Sequence, residues 1–168
     1  VMNAGVSESL KPREFCEITS WVEVLRPTGK VERVDAKKIE WSYRSAKGWQ
    51  PGIIVRVGIS WPHEPDAKII EEVKRLNQLR LQKQPLEFPI CGSVFRNPLP
   101  QRSGQLIEQA GLKGYTVGGA QVSEKHANFI INKGHAKASD VEAVVQKCME
   151  DVQRKFNVRL HPEFIKLG

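Results

Sequence analysis

The chain has 168 residues, 40% of them hydrophobic, which is enough for a buried core and excludes a wholly disordered protein. The net charge is +7, but residues 1–84 hold 15 Lys/Arg and 11 Asp/Glu, and residues 85–168 hold 11 and 8. Because the cations are not gathered in one polybasic segment, a phosphate-bearing small ligand explains the charge as well as a nucleic acid does.

The three cysteines, Cys16, Cys91 and Cys148, are widely spaced and form no CxxC pair. This spacing argues against a structural zinc site and against a secreted disulfide scaffold, so we expect reduced thiols and no metal. No apolar run reaches the roughly 18 residues of a membrane helix, and no signal-peptide pattern opens the chain. We therefore expect no membrane partner, and we expect from the opening Val1-Met2 that the chain begins inside a longer protein.

The first half predicts a β-hairpin and a further strand. Apolar residues alternate within residues 14–26, a Pro-Thr-Gly-Lys turn follows at 27–30, and residues 31–34 return as the partner strand. The β-branched run at 52–61 predicts another strand, which the prolines of the WPHEP stretch end.

A helix is predicted over residues 67–83, with Asp66 as its N-cap and apolar residues at helical spacing. Pro85 and Pro89 then break the chain, so we expect a domain boundary near 84–90.

The second half predicts a β-α-β-β-α-β order and hence an α+β fold. Ser139 and Glu142 have the spacing of a capping box at the start of the second helix. The expected elements are a short strand at Ser93–Phe95, a helix from Ser103 to Gly111, strands near 115–118 and 127–131, a helix from Ser139, and a last strand near 157–160.

Two RNA-binding interpretations are weak. Gly-Leu-Lys-Gly at 111–114 matches the GxxG loop of KH domains, but the Tyr-Thr-Val-Gly-Gly that follows is a poor helix former, and that loop joins two helices. The strand order also suits an RRM, yet the aromatic residues of this half form no base-stacking cluster. We therefore expect no nucleic-acid partner.

Taken singly, the polar candidates have ordinary explanations. Gly118-Gly119-Ala120 is typical of a tight turn, and His126 is typical of a surface or capping histidine. Arg44 and Glu163 alone would be solvated surface residues. Their combination with the surrounding motifs is more informative.

The motifs GSVFRNP at 92–98, GLKGYTVGGAQVSEKHANFIIN at 111–132, the YRS element at 43–45 and a terminal P-E together resemble the UDP-N-acetylenolpyruvoylglucosamine reductase family. The similarity is dense from residue 83 onward and sparse over residues 6–42. No tyrosine-bearing insertion fits between residues 61 and 66, so the chain resembles the branch that lacks it.

The resemblance implies a flavoenzyme of peptidoglycan precursor synthesis. In that family NADPH reduces FAD, the flavin passes hydride to an enolpyruvyl group, and the product is UDP-N-acetylmuramate. Catalytic roles carry over to Ser93 as proton donor and to Arg44 and Glu163 on the substrate carboxylate side. The remaining assignments are Lys83, Asn97, Tyr43, Gly92 and His126 for substrate binding, and Asn3, Ala4, Gly5 and Ile54 for the flavin.

The residue types suit this chemistry. Hydride addition to an enol ether conjugated with a carboxylate produces an enolate-like anion, which a fixed cation and a hydrogen-bonding carboxyl group stabilise. A serine hydroxyl is a weak acid, but it can protonate so basic a carbanion when it is held beside it. A lysine suits the diphosphate.

The expected organisation is residues 1–84 as the C-terminal part of a flavin domain, 85–160 as the substrate domain, and 161–168 as a tail carrying Glu163. The family's N-terminal flavin domain and its PGxxGG segment are missing, so we expect the chain alone to be inactive. The alternative is a non-catalytic UDP-sugar-binding module. We expect a monomer in a bacterial cytoplasm, or in a plastid if the source is a photosynthetic eukaryote.

Overall fold

The structure of the protein is a computed structural model that describes residues 14–43, 45–47, 50, 52–61 and 68–166. It divides into two compact units, Val1–Leu76 and Asn77–Gly168. Helices and strands occur in both, and the predicted α+β class is confirmed.

A three-stranded antiparallel sheet forms the centre of the first unit, with the strand order β2-β1-β5. Its small buried cluster consists of Val22, Val24 and Ile39. The elements are α1 (Phe15–Ile18), β1 (Thr19–Leu25), β2 (Val31–Asp35), a 3-10 turn (Ala36–Lys38), β3 (Glu40–Ser42), β4 (Ser45–Lys47) and β5 (Ile53–Ile59), with β3 and β4 forming a separate two-stranded ribbon.

The predicted hairpin is confirmed as β1 paired antiparallel with β2. Its turn is closed by Gly29 N, which donates to Arg26 O at 2.9 Å, and by Arg26 N, which donates to Lys30 O at 2.8 Å. The strand begins at Thr19 and not at Cys16, because Glu14 N donates to the Glu17 carboxylate at 2.8 Å and the chain first makes a helical turn. The strand predicted at 52–61 is confirmed as β5.

The helix predicted over 67–83 is confirmed as α2 (Ile69–Lys83), which spans the boundary between the two units. Its predicted N-cap, Asp66, lies outside the described residues. The apolar positions Ile69, Ile70 and Val73 are exposed.

The second unit packs two helices with a three-stranded antiparallel sheet of order β6-β7-β8. Fifteen buried residues form its core, among them Ile107, Val144 and Leu160. The elements are α3 (Ser103–Gln109), β6 (Thr116–Val117), β7 (Ala120–Val122), β8 (Ile130–Asn132) and α4 (Ala138–Phe156).

Several details differ from the predicted strand order. Residues 120–122 form the additional strand β7, and the Gly118-Gly119 pair is the turn between β6 and β7. The strand predicted at Ser93–Phe95 is reduced to an isolated bridge between Phe95 and Pro162. Residues 157–160 form no strand, since Asn157 takes a left-handed conformation (φ 55°) that ends α4.

The start of α4 also differs from the prediction. The Asp140 carboxylate, and not the Ser139/Glu142 pair, caps α4 by accepting a hydrogen bond from the backbone N of the N-cap residue Lys137 at 3.0 Å, and it also accepts from Gly119 N of the β6–β7 turn at 3.2 Å. Both bonds lower the pKa of Asp140, and the bond from Lys137 N has the larger effect. Among the described helices, none is long and apolar enough to cross a membrane.

Candidate substrate-binding cavity

A cavity of about 310 Å³ lies in the second unit, between the Ser93–Asn97 segment, the first two turns of α3 and the turn before β8. Its volume is at the lower end of the range for small-molecule sites. Three residues predicted for substrate chemistry, Ser93, Asn97 and His126, lie in it together. The lining residues are Ser93, Asn97, Arg102, Gly104, Gln105, Glu108, Lys125, His126, Ala127 and Asn128.

The segment that carries Ser93 is held on one side by the buried residue Asn128. Asn128 Oδ1 accepts a hydrogen bond from Phe95 N, and Asn128 Nδ2 donates to Phe95 O, both at 2.9 Å. Val94 N donates to the backbone oxygen of Asn128 at 2.9 Å. The amide side chain thus occupies the position of a strand neighbour, while Ser93 itself is exposed in the cavity.

The C-terminal tail holds the same segment through its backbone. Arg96 N donates to His161 O at 2.9 Å, and Glu163 N donates to Val94 O at 2.8 Å. This pairing, with the Phe95–Pro162 bridge, places the half-buried Glu163 beside the residue that follows Ser93. The backbones of two of the three residues predicted for catalysis, Ser93 and Glu163, are therefore close in space.

Asn97 has a structural contact as well as a place in the cavity. Its Oδ1 accepts from Ser103 N at 3.1 Å and so caps the first turn of α3. The buried Ser103 hydroxyl donates to Arg96 O at 2.5 Å. Asn97 is consequently fixed against α3 before any ligand is present.

His126 is packed between α3 and Phe129. Its Nδ1 accepts a hydrogen bond from Asn128 N at 3.2 Å, and its ring meets Phe129 edge-on with centroids 4.9 Å apart. A Cβ at Gly104 would come within 3.1 Å of the ring carbon Cε1, so glycine lets α3 lie this close without displacing the ring. Burial lowers the pKa of His126 more than its own backbone carbonyl raises it.

Lys125 brings a positive charge to the rim of the cavity. Its ammonium donates to the two Glu87 oxygens at 2.9 and 3.1 Å and to Leu81 O at 3.3 Å. The pKa of the Glu87 carboxyl is lowered most by its own backbone N–H and next by the hydrogen bond from Lys125. The buried Ser123 hydroxyl accepts from Lys125 N at 3.1 Å and so shapes the turn.

Sequence reasoning missed Asn128, Lys125 and Arg102 as cavity residues. Asn128 stands in the HANFIIN motif at a position that the pattern treats as variable, so the motif did not mark it. The Lys-His pair of that motif was the signal available for Lys125. Nothing local marked Arg102, whose place in the cavity follows from the start of α3.

The remaining predicted residues lie elsewhere or outside the described residues. Gly92, next to Ser93, has φ +85°, a conformation that favours glycine. Lys83 is the exposed last residue of α2 and does not line the cavity. Tyr43, 42% exposed, lies in the turn between β3 and β4. Arg44, Asn3, Ala4 and Gly5 lie outside the described residues.

Ile54, predicted to face the flavin, lines an apolar cavity of about 70 Å³ in the first unit, with Trp41 among its neighbours. Pockets for drug-sized ligands and cofactors have volumes of roughly 300–1,000 Å³. The described residues around Ile54 therefore do not by themselves fit a flavin ring.

Comparison with known proteins agrees with the resemblance seen in the motifs. Residues 84–167 match the family model described as UDP-N-acetylenolpyruvoylglucosamine reductase, C-terminal domain. A protein of that name from Nostoc sp. is 40% identical over 170 residues, covering 100% of this chain and 50% of the relative. A second, from Streptococcus equi subsp. zooepidemicus, is 40% identical over 169 residues, covering 99% and 56%.

A solved structure is also similar. The crystal structure of UDP-N-acetylenolpyruvylglucosamine reductase from Thermus caldophilus matches with a TM-score of 0.79 and 32% identity, covering 98% of this chain and 57% of that one. The chain thus spans about half the length of the curated relatives it matches.

Proposed function

Because the chain belongs to the UDP-N-acetylenolpyruvoylglucosamine reductase family, we propose that its second unit binds the UDP-sugar substrate of a reductase in peptidoglycan precursor synthesis. The observation that carries this proposal is the meeting of Ser93, Asn97 and His126 in one cavity. Ser93 and Asn97 lie on one segment and His126 lies on another, in the turn before β8, so the approach of His126 to the other two does not follow from sequence proximity.

In this proposal Ser93 is the proton donor of the reaction. The exposure of Ser93 in the cavity and the two sets of backbone bonds on Val94 and Phe95 support a fixed hydroxyl. A positioned donor of this kind contributes when a basic carbon forms beside it. Glu163, which the tail brings next to Val94, would contact the substrate carboxylate as a hydrogen-bonding group, and Arg44 would supply the cation.

The charge of the cavity lining favours an anionic ligand such as a diphosphate. Arg102 and Lys125 are positive and Glu108 is negative, so the lining has a formal excess of one positive charge, and the ligand would compete with Glu87 for the Lys125 ammonium. The oxygen of the Asn97 amide accepts from Ser103 N at the start of α3, which fixes the amide at the cavity. Lys83 and Tyr43 remain proposed substrate contacts on the resemblance alone.

The electron supply proposed for the reaction is FAD reduced by NADPH, as the family resemblance implies, in the cytoplasm. The described residues around Ile54 do not by themselves fit a flavin ring, so the roles proposed for this chain's own residues concern the substrate alone. We retain the proposed division at residues 84 and 160 and expect the 168-residue chain to bind substrate without turning it over.

A second candidate is a UDP-sugar-binding module without catalysis. The observation that favours it is that the cavity and its supports belong to the second unit, which has its own core of fifteen buried residues. Ligand binding alone does not distinguish the two functions, whereas a PGxxGG segment and a flavin domain encoded upstream of this chain would favour the enzyme over the module.

Calorimetric titration with UDP-N-acetylglucosamine enolpyruvate tests the proposal. We expect saturable binding, a loss of about tenfold or more in Asn97→Ala and in Lys83→Ala, and little change in Ser93→Ala, because a proton donor acts mainly after binding. Lys74→Ala, an exposed lysine of the same helix as Lys83, is the matched control. No binding by a folded chain would refute the proposal.

A further inference from the structure

The imidazole of His126 contacts Phe129 and Gly104 by packing and Asn128 by a hydrogen bond. Phe129 meets the ring edge-on at 4.9 Å, and Gly104 leaves room for α3 against the ring carbon Cε1. Asn128 N donates a hydrogen bond to Nδ1 at 3.2 Å. Packing fixes the orientation of the ring, and the Asn128 bond specifies which nitrogen must have a free lone pair.

This bond determines the tautomer. A neutral imidazole has one protonated nitrogen and one acceptor nitrogen. Since Nδ1 is the acceptor for Asn128 N, the proton of the neutral ring is on Nε2. Among the described residues, Nε2 has no hydrogen-bond partner. Every buried side-chain nitrogen or oxygen of these residues has a partner, so Nε2 is not buried and is open to solvent or ligand.

We propose that His126 binds the UDP-sugar as a neutral Nε2–H donor to one of its oxygen atoms, with the backbone N–H of Asn128 fixing the tautomer. This inference rests on the proposed function and specifies what His126 does there. Asn128 acts twice: its side chain holds Phe95 beside Ser93, and its backbone N–H sets the tautomer of His126. One residue therefore aligns the proton-donor segment and the ligand contact.

The charges around the ring support a neutral histidine. Burial lowers the pKa of His126 most, and the Lys113 ammonium lowers it further. The backbone carbonyl of His126 and the Glu108 carboxylate of α3 oppose this, and Glu108 is itself paired with Lys113 at 2.7 Å. Arg102 and Lys125, also in the cavity, add positive charge that disfavours a second cation. Protonation of Nδ1 would also remove the acceptor for Asn128 N.

A matched pair of variants separates ligand donation from support of the turn. A glutamine amide can place its nitrogen near the position of Nε2, whereas an asparagine amide oxygen lies near the position of Nδ1. His126→Gln therefore keeps a donor for the ligand, and His126→Asn keeps the acceptor for Asn128 N without that donor. We expect UDP-N-acetylglucosamine to bind His126→Gln within about threefold of wild type and His126→Asn about tenfold more weakly.

Nitrogen NMR of the wild-type chain tests the tautomer without any substitution. We expect the His126 Nε2 signal to be that of a protonated nitrogen and the Nδ1 signal that of an acceptor at pH 7.5. The affinity for UDP-N-acetylglucosamine should also not rise as the pH falls from 8.5 to 6.5, because the diphosphate diester keeps its charge and burial lowers the pKa of His126. A histidine that bound as a cation would give rising affinity as the pH falls.

The outcomes for this inference differ from those for the proposed function. If wild type binds, but His126→Asn keeps the affinity while His126→Gln loses it, His126 only supports the turn and the inference is wrong, although the substrate site stands. An Nδ1-protonated ring would overturn it as well. If the folded wild-type chain binds no UDP-sugar, the proposed function is refuted and this inference with it.

Discussion

The two units of the chain differ in how much of their apolar surface is buried. In the described part of the first unit, the buried apolar cluster contains three residues, whereas the buried core cluster of the second unit contains fifteen. Apolar residues are not scarce in the first unit: Ile53, Val55 and Ile59 of β5 and Trp61 are each about half exposed or more. The described residues of the first unit leave these side chains uncovered, and β5 is also an edge strand of its sheet.

This contrast explains where a precise site can be built. A cavity needs walls whose side chains are fixed by packing, and the Ser93–Asn97 segment is bonded to Asn128, the C-terminal tail and α3, all in a unit with an extensive core. The small apolar cavity of the first unit has no such polar lining. We expect the second unit to be the more stable of the two.

The largest expected effect comes from removing a core side chain of the second unit. Phe95 is 2% exposed, and Phe95→Ala should lower the free energy of unfolding of that unit by about 3–5 kcal/mol. All four tryptophans lie in the first unit, at positions 21, 41, 49 and 61, while α4 lies in the second. Circular dichroism at 222 nm should therefore follow mainly the second unit during denaturation, and tryptophan fluorescence the first.

The matched control is Phe164→Ala, which removes a phenylalanine that is 42% exposed and should therefore lower the free energy of unfolding less, by about 1–2 kcal/mol. In wild type the fluorescence transition should come at lower denaturant than the dichroism transition. If Phe95→Ala shifts both transitions equally, the units unfold together and the comparison of separate stabilities is wrong.

A smaller effect is expected at the Asn128 amide, which holds the segment that carries Ser93. In Asn128→Asp the carboxylate still accepts from Phe95 N but cannot donate to Phe95 O, so a buried carbonyl faces a negative charge. We expect a loss of about 2 kcal/mol at pH 7, measured by denaturation. The loss should shrink as the pH falls, since a protonated carboxyl can donate and its pKa in the folded state is raised above that in the unfolded state.

Asn132→Asp is the control for this substitution. The Asn132 side chain only accepts, from Gly134 N at 2.8 Å and Ala136 N at 3.0 Å, and a carboxylate accepts equally well. This variant should be as stable as wild type at pH 7. An equal loss in both variants would show that the burial of charge, and not the missing donor, determines the result.

The local sequence pattern was sufficient to predict the elements that are determined by neighbouring residues. The β1–β2 hairpin followed from its turn, and α2 from its periodicity. The predicted capping of α4 was wrong because the Asp140 carboxylate accepts hydrogen bonds from two backbone N–H groups, one of them that of Gly119, 21 residues earlier in the chain. A sequence pattern within four residues cannot contain that partner.

The candidate site shows the same limit. The family motifs brought Ser93, Asn97 and His126 into one prediction, and the structure places them in one cavity. Asn128 was missed because its function depends on Phe95, 33 residues away, whose backbone it bonds. Supporting residues of this kind are defined by a long-range contact and not by their own chemistry.

The three cysteines measure local opening in each unit without any substitution, so no change in stability is expected. Cys91 is exposed, Cys16 is half-buried, and Cys148 is buried in the core of the second unit. Burial raises the pKa of Cys148 to about 12, so at pH 8 roughly one thiol in 10,000 would be the reactive thiolate even if a reagent reached it. The pKa of Cys16 is also raised, most by burial and next by its hydrogen bond with the Glu14 carboxylate.

Alkylation with iodoacetamide at pH 8, read by peptide mass spectrometry, should therefore modify Cys91 first, Cys16 more slowly and Cys148 last. Low concentrations of urea should accelerate the modification of Cys16 before that of Cys148, because the first unit has the smaller core and opens at lower free energy. Fully unfolded chain, in which all three thiols have similar reactivity, provides the reference rates. Acceleration of Cys148 at the same urea concentration as Cys16 would mean that the large core gives the second unit no separate stability.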